Sequence, residues 1–289
     1  MTSASDVHSV DRDALAIRAR AQLTATPRPF LRWAGSKQRL LPHILPHLPA
    51  EYGTYFEPFL GAGALFFLLQ PTAAVLGDTC SPLIETYRSV ASHPRGVYAA
   101  SSAHNILDKD EYYRVRSLVP TDAIAKAARF IYLNRAGWNG LYRVNNRGEY
   151  NVPYGRPKSA NPVDLANLET CGSILAQSGM DIRNEDFSYV DGLARAGDLV
   201  YLDPPYVTGH NNNGFIDYNE LLFSWDDQVR LAQMAVRLKQ RGVHVIVSNA
   251  LHKEVIALYP SFEVAEVERP STLAGNPKAR RAITEAVLH

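Results

Sequence analysis

The chain has 289 residues, 30 basic against 29 acidic, for a formal net charge of +1; 46% of it is hydrophobic, 10% aromatic and 20% charged. That composition belongs to a globular protein with ample core material and excludes a mainly disordered, collagen-like or disulfide-stapled chain. Two distant cysteines, Cys80 and Cys171, supply neither a zinc knuckle nor a disulfide framework. No apolar run approaches the ~18 residues that cross a bilayer and no secretory stretch opens the chain, so a cytoplasmic protein is expected. With so little net charge, any nucleic-acid binding has to come from a local patch.

Residues 1–27 are polar and Ala/Arg-rich and read as an accessory extension, with a helix over Asp11–Leu23. From Phe30 the texture becomes compact. Thr54–Leu60 reads as a strand ending in Gly61-Ala62-Gly63, followed by an apolar helix over Ala64–Leu69 and a second strand over Ala73–Leu76 that closes on Gly77-Asp78. This is a strand, glycine turn, helix, strand and acid unit. Between Pro82 and Pro162 the rhythm breaks. Helical patches at Asp110–Ser117 and Thr121–Arg135 precede a Gly/Asn/Tyr/Arg-rich passage, which reads as a mainly helical insert.

Beyond the insert, apolar spacing predicts a helix over Leu165–Leu175, and a strand follows over Met180–Arg183. Asp198–Leu202 is a buried-type strand that ends at Asp203-Pro204-Pro205-Tyr206. Ser224 and Asp227 form a capping box for a helix to Arg241. Val243–Val247 is another buried strand, and Phe262–Val267 with Thr284–Leu288 reads as a closing pair. Strands alternating with helices predict a doubly wound α/β sheet.

Four features carry chemistry. Glycines after a strand let backbone approach a ligand at a helix N-terminus. Asp78, 17 residues after Gly61, stands near the spacing at which a second-strand acid accepts ribose hydroxyls. Neither a full G-x-G-x-x-G nor a P-loop is present, so this turn read alone is equally a packing turn.

At Asp203–Tyr206, two prolines lack backbone donors and hold the chain extended. The Asp203 carboxylate and Pro204 carbonyl are then acceptors beside an aromatic face. Gripping the hydrogens of an exocyclic amino group on a planar base favours tetrahedral nitrogen and frees its lone pair, with Tyr206 available to stack on the base; alone, the segment also fits a strand-terminating turn with a surface Tyr.

Trp33-Ala-Gly-Ser-Lys37 combines a stacking ring, small residues and a cation; alone, it also fits a buried Trp beside a helix-starting Lys. In the insert, Arg129, Arg135, Arg143, Arg147, Arg156 and Lys158 face one acid, Glu149. Tyr132, Trp138, Tyr142, Tyr150 and Tyr154 are interleaved with them, and Asn134, Asn139, Asn145, Asn146 and Asn151 supply amides. Arg for guanine, Asn for adenine and aromatics for wedging are the components of base readout; alone, the passage also fits an exposed charged hairpin. Arg269, Lys278, Arg280 and Arg281 form a second basic cluster able to touch phosphates, although a lone charge run is more often solvated surface.

Together these segments resemble the DNA adenine methylase (Dam) family of S-adenosylmethionine-dependent methyltransferases. The matching pieces are Phe30–Lys37 (FLRWAGSK), Phe56–Gly63 (FEPFLGAG), Tyr132–Arg143 (YLNRAGWNGLYR), Arg147–Gly155 (RGEYNVPYG), Tyr201–Tyr206 (YLDPPY) and Val247–Asn249 (VSN), in the family's order.

The resemblance implies a Rossmann-like, methyltransferase-type mixed sheet over 28–85 and 163–289. It also implies an inserted target-recognition domain with a hairpin over 86–162. Trp33, Lys37, Phe59, Gly61, Gly63, Asp78, Asp186 and Asp203 would hold S-adenosylmethionine. Asp203, Pro204, Pro205 and Tyr206 would carry catalysis. Arg32, Asn134, Arg135, Trp138, Asn139, Leu141, Arg143, Asn151 and Pro153 would meet DNA. Ser36 stands where the family usually has Gly, and Trp138 where it usually has Tyr.

The expected reaction is extrusion of an adenine from duplex DNA and direct methylation of N6, at a short palindrome such as GATC, with no metal. Double-stranded DNA is the expected partner, no membrane is involved, and a monomer in solution is expected to act, in one or more copies on the duplex. Three alternatives stand beside it: an amino-methyltransferase acting on cytosine N4 or RNA, a nucleotide-dependent oxidoreductase using Gly61, Gly63 and Asp78, and a DNA-binding protein without catalysis.

Overall fold

The computed structural model describes residues 27–206, 223–270 and 282–289. The helix expected over 11–23 and the side chains of the second basic cluster lie outside the described residues. The chain divides into two compact units. One gathers Pro27–Ser36 and Gly53–Leu193; the other gathers Lys37–Tyr52 and Ala194–His289.

In the first unit, β1 (Tyr55–Glu57), β2 (Ala74–Gly77) and β3 (Met180–Arg183) lie parallel in the order β3-β2-β1, with Phe56 opposite Val75 and Leu76 opposite Ile182. Parallel neighbours require crossovers, and the apolar Ala64–Leu69 helix supplies the first. All three residues of β1 are buried, as expected where a strand is covered on both faces.

The β2-to-β3 crossover carries five helices: Ser81–Ser92, Pro94–Ser102, Lys109–Ser117, Ala123–Ala136 and Leu165–Leu175. The last three begin with an Asp cap, from Asp108, Asp122 and Asp164. The first two went unread in the sequence because Pro82 and Pro94 look like breaks. Each instead stands in the first turn of its helix, where a missing N–H costs nothing and the fixed φ suits the helix. Residues 86–162 fall within this unit, and the Ser81–Ser92 helix runs through position 86. Arg88 ties that helix to β3 by donating to the Ile182 carbonyl at 2.6 and 3.1 Å.

In the second unit, β4 (Leu199–Leu202) pairs parallel with β5 (His244–Ala250), and β7 (Ala282–Leu288) runs antiparallel between β5 and β6 (Val264–Pro270). The four residues of β4 are buried. The Trp225–Gln240 helix starts at the expected box: the Ser224 hydroxyl accepts from the Asp227 N–H at 3.1 Å, and the Ser224 N–H donates back to Asp227 at 2.9 Å. Strand, helix, strand in both units gives the mixed α/β, Rossmann-like architecture that the sequence predicts. Among the described residues, no helix is long and apolar enough to cross a membrane.

Candidate functional site

Asp203 follows directly on β4, at the carboxyl end of a buried parallel strand, where open α/β sheets place their ligands. One of its oxygens meets Lys37 Nζ at 2.6 Å and accepts the Ser248 hydroxyl at 2.7 Å. Ser248 lies on β5 and contacts the Tyr201 hydroxyl at 3.0 Å. Lys37 opens a short turn over Lys37–Arg39 and is buried.

Burial pushes the Asp203 carboxyl above the usual carboxylate range, while the Lys37 ammonium and the Ser248 hydroxyl pull it down and Glu285 adds to the rise. Lys37 Nζ also sits 4.5 Å from the Tyr206 ring centroid, a cation–π contact. Burial, reinforced by Asp203 and Glu285, lifts the Tyr206 hydroxyl well above its ordinary value. Pro204 is buried and Pro205 is half-buried.

The glycine turn belongs to the other unit. Gly61 has φ +46° and Gly63 φ +64°, both in the left-handed region. A Cβ on Gly61 would stand 2.8 Å from Trp33 Cδ1, so the indole lies against that backbone. Asp78 accepts the Gly61 N–H at 3.1 Å and the Cys80 N–H at 2.9 Å, and its own carbonyl accepts the Asn184 amide at 2.9 Å. Burial raises the Asp78 carboxyl and those backbone donors oppose the rise. Phe59 stacks on Phe187 at 5.5 Å. The preceding Asp186 is exposed and accepts the Ser188 N–H at 3.1 Å. Trp33 in turn stacks on Tyr142 at 6.0 Å and Phe130 at 6.3 Å.

The basic, aromatic passage is a hairpin hung from the Ala123–Ala136 helix. Its stem is closed by Trp138 N–H to the Pro153 carbonyl (2.9 Å), Gly155 N–H to the Ala136 carbonyl (2.7 Å) and Asn151 N–H to the Arg143 carbonyl (3.0 Å). At its tip Asn145 accepts from the Arg147 and Glu149 amides, both at 3.0 Å. Trp138 is 51% exposed. Asn139, Arg143 and Pro153 are exposed as well, and Leu141 is half-buried. Arg143 donates to the Asn151 side chain at 2.8 Å. Beside the hairpin lies a groove of about 740 Å³ edged by Arg116, Lys126, Arg129 and Arg147 and by Tyr113 and Tyr142.

Two residues of the expected DNA set turn inward. Asn134 is buried; its oxygen accepts the Arg32 N–H at 2.8 Å, and its amide donates to the Arg32 and Gly140 carbonyls at 2.6 and 3.2 Å. Arg135 gives Nε and a terminal nitrogen to the Phe30 carbonyl at 3.1 and 2.7 Å, and burial lowers its pKa to about 10. Both fasten the Phe30–Arg32 segment, leaving the Arg32 side chain exposed beside the hairpin base. A Cβ on Gly140 would collide with the Arg32 Cβ, so only glycine lets Arg32 pack against the hairpin base there.

Sequence reasoning left Ser248 and Glu285 without roles. Glu285 is fully buried on β7. The available signal was a carboxyl group inside an apolar closing strand, Thr284–Leu288.

A family model described as D12 class N6 adenine-specific DNA methyltransferase matches residues 33–273. The Type II methyltransferase M1.LlaDCHI of Lactococcus lactis subsp. cremoris is 37% identical over 268 residues, covering 90% of this chain and 94% of its own. The Type II methyltransferase M.MjaIII of Methanocaldococcus jannaschii is 36% identical, covering 83% and 90%. The DNA adenine methylase of Escherichia coli K12 is 32% identical, covering 89% and 93%.

Proposed function

This chain belongs to the D12 class N6 adenine-specific DNA methyltransferases, and on that premise we propose that Asp203 with the Pro204 carbonyl grips the adenine amino group. The activity is methylation of adenine N6 in DNA, with S-adenosylmethionine as donor. When bound, that donor supplies an electrophilic methyl on a sulfonium.

Asp203 and the Pro204 carbonyl accept the two N6 hydrogens, and the lone pair leaves conjugation with the ring. Pro205 keeps the segment extended and Tyr206 stacks on the base. Lys37 holds the Asp203 carboxylate in place. The target adenine leaves the duplex, with Trp138 as the wedge that fills or prises the step, at an unstacking cost of a few kcal/mol.

The residues around the glycine turn fit the donor's adenosine. Each oxygen of Asp78 accepts one backbone N–H and a carboxylate retains further lone pairs for ribose hydroxyls. Gly61 and Gly63 bring backbone close, and Trp33, Phe59 and Asp186 complete the set. Arg32, Asn139, Leu141, Arg143, Asn151 and Pro153 read the site, which we take to be a short palindrome of the GATC type. Asn134 and Arg135 act behind them by fixing Arg32.

The observation that carries this reading is Asp203 at the end of β4, held by Lys37 and Ser248. Unmethylated plasmid incubated with the protein and S-adenosylmethionine, then digested and analysed by nucleoside mass spectrometry, is expected to contain N6-methyladenine. Asp203→Ala is expected to yield none while still binding duplex. Turnover by that variant sinks the role of Asp203, and sequencing that places the mark outside GATC sinks the proposed site.

A further inference from the structure

Glu285 is the buried acid that the catalytic reading leaves unused. Its place follows from strand arithmetic. β5 and β7 are antiparallel with Ser248 opposite Val287 and Ala250 opposite Glu285. Directly opposed residues share a sheet face, and residues two apart on a strand share it too. Glu285 is therefore on the face that carries Ser248, the residue whose hydroxyl reaches Asp203.

Tyr206 follows Asp203 by three residues; its hydroxyl is buried without a hydrogen-bond partner among the described residues, and the Glu285 carboxyl is one of the groups that raise it. The hydroxyl keeps its proton, because burial and the neighbouring acids raise it far above neutrality, so it is a donor and Glu285 is the acceptor next to it. Lys37 holds the same ring from another side, 4.5 Å from its centroid.

We propose that Glu285 is a positioning residue that acts through the Tyr206 hydroxyl to fix the ring against which the target base stacks. An aromatic platform stabilises the base only when it is held in position; with Lys37 alone the ring can still swing about its Cα–Cβ bond. Glu285 bonded to the hydroxyl at the far end of the ring would pin that swing. This role rests on the assignment of Asp203 and Tyr206 to catalysis.

A double-mutant cycle tests it, with Glu285→Gln, Tyr206→Phe and the pair measured on duplex DNA under saturating cofactor. Glu285→Gln keeps the volume but exchanges a charged acceptor for a neutral amide, whose oxygen accepts more weakly. It is expected to lower kcat about tenfold, the scale of one buried hydrogen bond, with KM for the cofactor unchanged. In the Tyr206→Phe background the same substitution is expected to add less than about twofold, because its target hydroxyl is already gone. Equal losses in both backgrounds overturn the proposal.

Should Glu285→Gln fail to fold, Tyr206→Phe alone decides. An approximately tenfold loss of kcat supports the role, and a wild-type rate overturns it. Asp203→Ala serves as the reference. Turnover by that variant overturns the catalytic assignment and Glu285's role together, whereas additivity with Asp203→Ala inactive overturns the Glu285 role alone.

Discussion

Lys37 and Asp203 form an ion pair at 2.6 Å in which the carboxyl side carries the strain, since burial raises Asp203 while Lys37 lowers it. Asp203 accepts amino hydrogens, and stabilises the developing positive charge, best when ionised. Lys37→Met removes the cation and leaves the desolvation, so the carboxyl pKa climbs further. The acid limb of the kcat–pH profile is expected to move to higher pH in Lys37→Met. An unmoved limb would show that Lys37 does not govern that ionisation.

The same raised pKa has a consequence for stability. A carboxyl whose folded pKa lies above its unfolded value binds its proton more tightly in the fold. Its favourable contribution is complete below the unfolded pKa and is lost as pH rises through the folded value. Asp203→Asn, which never ionises, should therefore gain stability over the wild type as pH rises from about 4 toward neutral. Urea unfolding at several pH values measures it, and a constant difference across that range refutes the argument.

Gly61 is expected to tolerate no side chain. At φ +46° an L residue is strained, and a Cβ would stand 2.8 Å from Trp33 Cδ1. Gly61→Ala should cost about 1–3 kcal/mol, from the left-handed backbone and the overpacked indole. It should also weaken S-adenosylmethionine binding in calorimetry, because the displaced ring lies against the turn. Wild-type thermal stability would contradict the contact.

The hairpin residues should separate into two classes. Arg143→Ala is expected to relax preference at one base pair by about 1–3 kcal/mol and to leave folding alone. Trp138→Ala, half exposed, should stay within about 0.5 kcal/mol of wild-type stability while activity falls. Asn134→Ala should do the reverse first. It leaves the Arg32 N–H and two carbonyls without their amide partner, at a cost of about 1–3 kcal/mol in melting experiments. A uniform loss of binding over all sequences in Arg143→Ala would make that residue a phosphate contact.

These classes also show how far a sequence can be read. The strand, glycine turn, helix and acid from Tyr55 to Asp78 were legible because each step has a local chemical cause. So was Asp203–Tyr206, where two prolines dictate an extended chain without donors. The Ser224 box declared its helix.

Direction was not legible. Asn134 and Arg135 counted as an amide and a cation among others, yet the helix that bears them is buried along most of its last two turns, so their polar groups bond to backbone instead. Nor was register. Glu285 and Ser248 acquire neighbours only when β7 lines up on β5, and that pairing joins residues some 37 apart in the chain.

The clamp on the Phe30–Arg32 segment bears on synthesis at the ribosome. Arg32 leaves the tunnel 102 residues before Asn134, and Arg28 leaves 139 residues before Asn167, which bonds both its N–H and its carbonyl. At about 5–20 residues per second the segment waits on the order of 5–30 s for its partners. For that interval Phe30 and Leu31, buried in the finished protein, are apolar surface on a nascent chain. Slow decoding between Arg32 and Asn134 would lengthen the exposure, so yield should depend on codon choice in that stretch more than in the stretch after Asn167.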